Sequence, residues 1–204
     1  MTKSIEFFER QFRQPQTDAS LTLNPFEVKA LPYLHGEVLD LGSGMGNLAF
    51  AAAKQGCKVT ALDASPAAVE HMRARAAQDA LPVAPSRADL REYPIQDQYD
   101  CIVSIGLLMF FDCPTACRVL SELQQHVRPG GHAVVNVLIA GTTYLEMFEP
   151  EEHCLFAPFE LKQRFSGWNI ECHEFSEFEA PGQTLKRFAT IIARKPDEPT
   201  QSGA

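Results

Sequence analysis

A short apolar segment that opens directly into three alternate glycines most constrains the fold of this chain. The segment runs from Glu37 to Leu41, and the glycines that follow it are Gly42, Gly44 and Gly46. Glycines in such a turn let the backbone reverse tightly and approach a ligand more closely than a Cβ atom permits. A helix-forming segment, 47–55, comes next, with Gly56 as its stop. The pattern predicts a strand–turn–helix unit that binds a nucleotide.

The glycine spacing and one carboxylate indicate the kind of nucleotide. A dinucleotide-binding turn has the spacing G-x-G-x-x-G, whereas this turn has G-x-G-x-G and carries Asp40 just before it. A diphosphate is bound by helix-end N–H groups and positive charge, so a carboxylate beside the turn favours a cationic ligand. S-adenosylmethionine fits, because its sulfonium and amino groups are positive where NAD is negative. Asp63 ends the next apolar segment, where a ribose-binding carboxylate is expected.

With these features in place, the chain resembles the class I S-adenosylmethionine-dependent methyltransferases. The matching features are Asp40 to Gly46, Asp63, Asp89 within Arg87–Leu90, the strand segment Tyr99–Ser104 and the turn Pro129–Gly131. This resemblance implies an α/β, Rossmann-like fold. It also implies a mostly parallel seven-stranded sheet with an antiparallel closing edge.

A second group of segments resembles the TehB-like tellurite and selenite methyltransferases. These segments are Leu107–Phe111, Phe165–Trp168 and Lys186–Lys195. A His-Arg pair of that family, just before the final strand, is replaced here by the segment Phe178–Gln183. We therefore expect a small-molecule acceptor, either a chalcogen oxyanion or an unrelated metabolite that is methylated on oxygen or sulfur.

Strand and helix patterns alternate along the chain, which is typical of a parallel sheet covered by helices on both faces. We expect a single methyltransferase domain over residues 1–195, with a helical cap at 1–36 and a flexible tail at 196–204. The irregular segment 140–157 contains aromatic residues and is long for a loop, so we predict that it forms a lid over the site.

The resemblance also implies which residues bind the cofactor. Asp63 would bind the ribose hydroxyls, Asp89 would face the adenine amino group, and Asp40 would orient the methionine part. The full predicted set is Asp40, Gly42, Gly44, Gly46, Asp63, Ala64, Asp89, Leu90, Ser104 and Ile105. For each aspartate the alternative is a purely structural role in capping a turn or a helix.

Two residues are candidates for contact with the acceptor. Arg187 would hold an anionic acceptor, and the alternative is a solvated arginine on an edge strand. His153 lies in the predicted lid, whereas the other histidines are expected to have surface or packing roles. Methyl transfer depends mostly on alignment, and a chalcogen lone pair needs no general base, which agrees with the lack of an evident base in the sequence.

Composition narrows the class of partner. The net charge is −8 without a basic cluster, which argues against nucleic acid and anionic membrane as partners. No apolar stretch at the start is long enough for a signal peptide, so we expect a cytoplasmic monomer or homodimer.

The six cysteines form no C-x-x-C pair; we predict free thiols and no metal site. A nicotinamide oxidoreductase and a noncatalytic cofactor-binding protein remain as alternatives.

Overall fold

The computed structural model describes residues 3–14, 22–148 and 152–197. Seven strands and six α-helices alternate along most of these ranges. In chain order they are α1 (Lys3–Phe12), α2 (Pro25–Ala30), β1 (Glu37–Leu41), α3 (Asn47–Lys54), β2 (Lys58–Asp63), α4 (Pro66–Asp79), β3 (Val83–Arg87), β4 (Tyr99–Ile105), α5 (Cys113–His126), β5 (Val127–Leu138), α6 (Glu160–Arg164), β6 (Asn169–Ala180) and β7 (Thr184–Arg194).

All seven strands form one sheet in the order β3-β2-β1-β4-β5-β7-β6. Strands β1 to β5 pair in parallel, while β7 runs antiparallel between β5 and β6. The chain order reverses between β1 and β4, which leaves a crevice at the carboxyl ends of these two strands. The predicted α/β fold, with its mostly parallel sheet and antiparallel closing edge, is confirmed.

Helices cover both faces of the sheet because the central strands are apolar on both sides. One buried cluster lies under α5 and includes Leu120 and Leu123 together with Ile102 of β4. The other lies under α3 and α4 and includes Phe50 and Met72. A sheet filled in this way from both faces holds the carboxyl ends of its strands in fixed positions.

The helix before β1 begins with a capping box. The side chain of Asn24 accepts hydrogen bonds from the N–H groups of Phe26 and Glu27, and the Glu27 carboxylate accepts one from the Asn24 N–H at 2.7 Å. This reciprocal capping box satisfies N–H groups that a helix start leaves without partners. Asn24 is therefore the N-cap of α2.

Strand β6 lies at the edge of the sheet, and β7 is its only strand partner within the described ranges. It continues to Ala180, and Glu177 and Phe178 still pair with β7. Its exposed phenylalanines are Phe175 and Phe178. Four glutamates, at positions 171, 174, 177 and 179, lie along the same strand.

The cysteine prediction is wrong for one pair. Cys113, at the start of α5, forms a disulfide with Cys154, 41 residues later. Local spacing could not predict this pair, because the two cysteines become neighbours only when the segment after β5 folds back onto α5. Cys57 and Cys101 are free and buried in the strand region, as predicted.

In the ranges that the structure describes, none of the helices combines the length and the apolar character needed to cross a bilayer. The predicted flexible tail falls almost entirely on residues 198–204, outside the described residues. Residues 1–2 and 15–21 of the predicted cap and 149–151 of the predicted lid also lie outside them.

Candidate cofactor and acceptor site

A cavity of about 300 Å³ lies at the carboxyl ends of the central strands, where the strand order reverses. Its volume lies at the lower end of the range for small-molecule sites. Five described parts of the chain contribute to its wall: α1, the start of α2, the turn after β1, the ends of β2 and β3, and the turn after β4. The lining residues that matter below are Phe8, Phe12, Glu27, Gly42, Gly44, Asp63, Ala64, Asp89, Leu90, Arg91, Ile105 and Phe110.

The turn after β1 brings its backbone to the cavity wall. Gly42 has a φ of +71°, and a Cβ atom there would lie 2.9 Å from the side chain of Leu107. Gly46 has a φ of +77°, and a Cβ atom there would lie 2.8 Å from the sulfur of Met72. A side chain at either position would be both strained and crowded, so the sequence pattern has a steric cause.

Asp63 lies at the end of β2 and faces the cavity. One carboxylate oxygen accepts a hydrogen bond from the Gly44 N–H at 2.8 Å, and the other accepts one from the Ser65 N–H at 2.8 Å. These two bonds fix the plane of the carboxylate and still leave lone pairs on both oxygens for a ligand. Burial raises the pKa of Asp63, although the N–H groups oppose this effect.

Asp40 lies behind the cavity wall and is 6% exposed. Burial, and then the neighbouring charges of Glu27 and Asp63, raise the pKa of Asp40 to about 8. Glu27 itself lines the cavity, and burial raises its pKa as well. Three acids therefore surround one side of the cavity, an arrangement that disfavours an anionic ligand there and favours a cationic one.

Asp89 follows β3 and also lines the cavity. Both of its oxygens accept hydrogen bonds from the guanidinium of Arg91, at 2.9 and 2.8 Å. Burial acts to raise the pKa of Asp89, but the bonds and charge of Arg91 outweigh it and hold this pKa below its usual value. The positive charge of Arg91 is therefore balanced by Asp89 within the cavity wall.

Helix α1 forms a roof over the cavity. Phe8 and Phe12 line the cavity, and the ring of Phe8 meets that of Phe110 edge to face at 5.2 Å between centroids. Glu9, on the same helix, accepts hydrogen bonds from the Ser65 hydroxyl and from the Ala67 N–H. The roof is therefore attached to the start of α4, directly after Asp63.

The structure brings together most of the predicted cofactor residues. Those that line the cavity are Gly42, Gly44, Asp63, Ala64, Asp89, Leu90 and Ile105. Asp40, Gly46 and Ser104 lie behind the wall: Ser104 is fully buried, and Gly46 begins α3. Sequence reasoning missed Glu27 and Arg91 as lining residues. Glu27 has a local role in the capping box of α2, and no motif pointed to Arg91.

The two predicted acceptor residues do not line this cavity. Arg187 lies within β7 with its side chain 43% exposed, and its Nε is 3.1 Å from a carboxylate oxygen of Glu177. His153 stacks on Phe148 at 5.0 Å between ring centroids. Phe148 in turn packs against Phe110 at 5.1 Å, so His153 is separated from the cavity by two aromatic rings.

Comparison with known proteins points to one family. Residues 38–131 match the family model described as a methyltransferase domain. The probable S-adenosyl-L-methionine-dependent methyltransferase TehB of Haemophilus influenzae (strain 10810) is 27% identical over 166 residues, which cover 78% of this chain and 57% of the relative. Hemagglutinin 1 of Eikenella corrodens is 28% identical over 78% of this chain and 55% of its own length. The chain thus spans little more than half the length of these curated relatives.

Solved structures agree on the fold. The crystal structure of TehB from Haemophilus influenzae superimposes with a TM-score of 0.73 at 21% identity, covering 94% of this chain and 67% of the other. The chain is similar to class I S-adenosylmethionine-dependent methyltransferases, and TehB proteins are among its relatives. The N-methyltransferase NodS from Bradyrhizobium japonicum, in complex with S-adenosyl-L-homocysteine, superimposes with a TM-score of 0.73 at 16% identity, covering 96% of this chain and 100% of NodS.

The methyltransferase cavity has donor groups that suit the cofactor of this family. Glu27 and Asp63 line the side that would meet the sulfonium and amino groups, and Asp40 lies behind them with a pKa that a bound cation would lower. Asp63 has oxygens available for two hydroxyl groups. A diphosphate would meet the same acids without compensating positive charge, because the Arg91 guanidinium is already bound to Asp89.

Proposed function

We propose that this chain transfers a methyl group from S-adenosylmethionine to a small-molecule acceptor. The observation that carries the proposal is Asp63, which is fixed at the end of β2 by the N–H groups of Gly44 and Ser65 and faces an acid-rich cavity. In this assignment Asp63 accepts hydrogen bonds from both ribose hydroxyls. Asp40 and Glu27 stabilise the positive charge of the methionine part.

The remaining contacts follow from position in the wall. Ala64 and Leu90 would pack against the ribose and adenine, and Asp89 with Arg91 would meet the polar edge of the base. Gly42, Gly44 and the turn after Ile105 would approach the methionine part with backbone alone. Gly46 and Ser104 would act indirectly, by holding the turn and the end of β4 in place.

Catalysis in this proposal depends on alignment. When bound, the cofactor supplies an electrophilic methyl group, and the wall residues orient it toward the acceptor. Proximity and orientation contribute roughly 7 to 11 kcal/mol to such reactions. Phe8, Phe12 and Phe110 exclude water from the path of transfer and present apolar surface to the acceptor.

For the acceptor, the family resemblance favours a chalcogen oxyanion such as selenite or tellurite. Arg187 would then attract the anion, after exchanging its partner Glu177 for the acceptor. The segment 140–157 would close over the acceptor as a lid and bring His153 nearer. This arrangement requires movement of β7 side chains toward the cavity.

A second candidate is an oxygen, nitrogen or sulfur atom of an uncharged, partly apolar metabolite. The observation that favours it is the charge of the wall: among the described residues that line the cavity, Arg91 is the sole cation, and Asp89 already binds it. A neutral acceptor would contact the phenylalanines without the cost of bringing an anion toward Glu27 and Asp63.

One assay separates these possibilities. Purified protein is incubated with labelled S-adenosylmethionine and, separately, selenite, tellurite and a panel of small hydroxyl, amine and thiol compounds, and S-adenosylhomocysteine is quantified. Turnover with an oxyanion supports the first acceptor, and turnover with panel compounds alone supports the second. Calorimetric binding of S-adenosylhomocysteine without turnover on any acceptor would leave a noncatalytic cofactor-binding protein. Preferential binding of NAD would reject the proposal.

A further inference from the structure

Three potential metal ligands meet at the opposite edge of the sheet from the cofactor cavity. His35 precedes β1, Cys101 lies in β4, and His132 lies in β5. One ligand atom from each of these side chains lies within 4.8 Å of the other two. Cys101 and His132 are direct neighbours in the pairing of β4 with β5, so the cluster is built on the rigid centre of the sheet.

The chemistry of this ligand set is that of a zinc site. Thiolate and imidazole bind Zn²⁺ with Zn–S near 2.3 Å and Zn–N near 2.0 to 2.1 Å, in tetrahedral geometry. These bond lengths place tetrahedral ligand atoms about 3.3 to 3.6 Å apart. The three ligand atoms lie within 4.8 Å of one another, so they must approach by at most about 1.5 Å to reach that spacing. Small rotations of the side chains provide this movement.

The hydrogen bonds of His132 resemble those of a metal-binding histidine. Its Nε2 lies 3.3 Å from a carboxylate oxygen of Glu171, on the neighbouring part of β6. Its Nδ1 is buried and has no hydrogen-bond partner among the residues that the structure describes. Metal-ligating histidines commonly give one ring nitrogen to a carboxylate and the other to the metal. In this pair Nδ1 is the nitrogen left to bind an ion.

Cys101 is fully buried, and its sulfur already contacts polar groups. The sulfur is 3.4 Å from the backbone N–H of His35 and 3.3 Å from the carbonyl oxygen of Tyr33. An N–H group that donates to the sulfur would stabilise a metal-bound thiolate.

We propose that His35, Cys101 and His132 bind a zinc ion, with Glu171 orienting His132. The exposed side of His35 leaves the fourth coordination position to water. The ion would connect the segment before β1 to the amino ends of β4 and β5, and so stabilise the sheet on the side away from the cavity. This proposal is independent of the proposed methyl transfer.

The test is metal binding by the full-length chain. After chelator treatment and dialysis, Zn²⁺ is titrated in competition with a chromophoric chelator, and Co²⁺ is added separately as a spectroscopic probe. We expect one Zn²⁺ per chain, bound at micromolar concentration or tighter, an increase in melting temperature, and a thiolate-to-cobalt charge-transfer band. This test requires no measurement of enzyme activity.

Variants locate the site. Cys101→Ser should abolish the charge-transfer band, and His35→Ala should weaken zinc binding by about tenfold or more. His35 is exposed, so its replacement leaves the core intact. Cys117→Ser and His71→Ala, which lie on α5 and α4, are the matched controls and should bind as the original chain does. Zinc binding no tighter than about 0.1 mM, or binding equally strong in His35→Ala and Cys101→Ser, would overturn the proposal.

Discussion

Glu9 of α1 accepts a hydrogen bond from the hydroxyl of Ser65, the residue that caps α4. The same carboxylate oxygen accepts a bond from the Ala67 N–H at 3.1 Å. Ser65 also donates its own N–H to Asp63. The roof of the cavity and the carboxylate assigned to the ribose are therefore held by one capping residue.

The roof should consequently depend on Glu9. Replacing Glu9 with alanine removes a charged acceptor from Ser65 and Ala67, and we expect S-adenosylhomocysteine to bind about five- to fiftyfold more weakly. Calorimetry measures the affinity. Glu6→Ala, an exposed acid on the same helix, is the control. Equal losses of affinity in both variants would mean that the charge of α1, rather than the hydrogen bonds of Glu9 to Ser65 and Ala67, determines how tightly S-adenosylhomocysteine binds.

Asp63 should contribute most to cofactor affinity. Asp63→Ala removes the acceptor assigned to two hydroxyl groups, and charged hydrogen bonds of this kind contribute about 1.5 to 3 kcal/mol each before water replaces part of the loss. We expect S-adenosylmethionine and S-adenosylhomocysteine to bind roughly tenfold to several hundredfold more weakly. Asp79→Ala, at the end of α4, is the control. An unchanged affinity in a folded Asp63→Ala protein would remove this residue from the site.

Asp40 should make stability depend on pH. Burial raises the pKa of Asp40 to about 8 in the folded chain, whereas an aspartate in the unfolded chain has a pKa of about 3.9. Between these values the folded state binds more protons than the unfolded state, so the free energy of unfolding falls as pH rises. The effect is of the order of a few kcal/mol across the window. Denaturant titrations from pH 4 to pH 9 should show this slope, and it should be largely absent in Asp40→Asn.

Arg187 should affect the acceptor more than the donor. If the acceptor is an oxyanion, Arg187→Ala should raise its KM about tenfold or more, while S-adenosylhomocysteine affinity stays within about twofold. Steady-state kinetics and calorimetry give the two values. Arg194→Ala, whose guanidinium binds Asp197 at the far end of β7, is the control. A KM that is the same in both variants would assign Arg187 to its ion pair with Glu177.

The disulfide should anchor the predicted lid. Replacing Cys113 and Cys154 together with serine should lower the free energy of unfolding by about 2 to 4 kcal/mol. In this variant hydrogen exchange in 152–157 should become faster. In the original chain, exchange in 140–148 should slow when S-adenosylhomocysteine binds. Cys117→Ser is the control for loss of a thiol on α5. If exchange in 140–148 does not respond to ligand, the lid prediction is wrong.

The sequence predicted the sheet and one side of the cavity well, because those features are local. The glycine turn, the strand that ends in Asp63 and the capping box of Asn24 each follow from residues close together in the chain. Their steric and hydrogen-bonding demands act over a few residues. Such demands leave visible patterns, and the predicted fold class was therefore correct.

Contacts between distant segments left no such pattern. The disulfide joins residues 41 positions apart, and the placement of Glu27 against the cavity depends on how α2 packs. Arg91 was missed because an arginine two residues after an aspartate is common in surface loops. The convergence of His35, Cys101 and His132 likewise requires the order of β1, β4 and β5 in the sheet.

The edge position of β6 has a consequence for the behaviour of the protein at high concentration. A strand of twelve residues with one unpaired side is a template onto which a strand of another molecule can add, and Phe175 and Phe178 make that surface adhesive. Four glutamates lie along the same strand, and like charges on the edges of two copies repel, which opposes this pairing. Salt screens such repulsion, so the protein should self-associate more readily at high ionic strength than at low ionic strength.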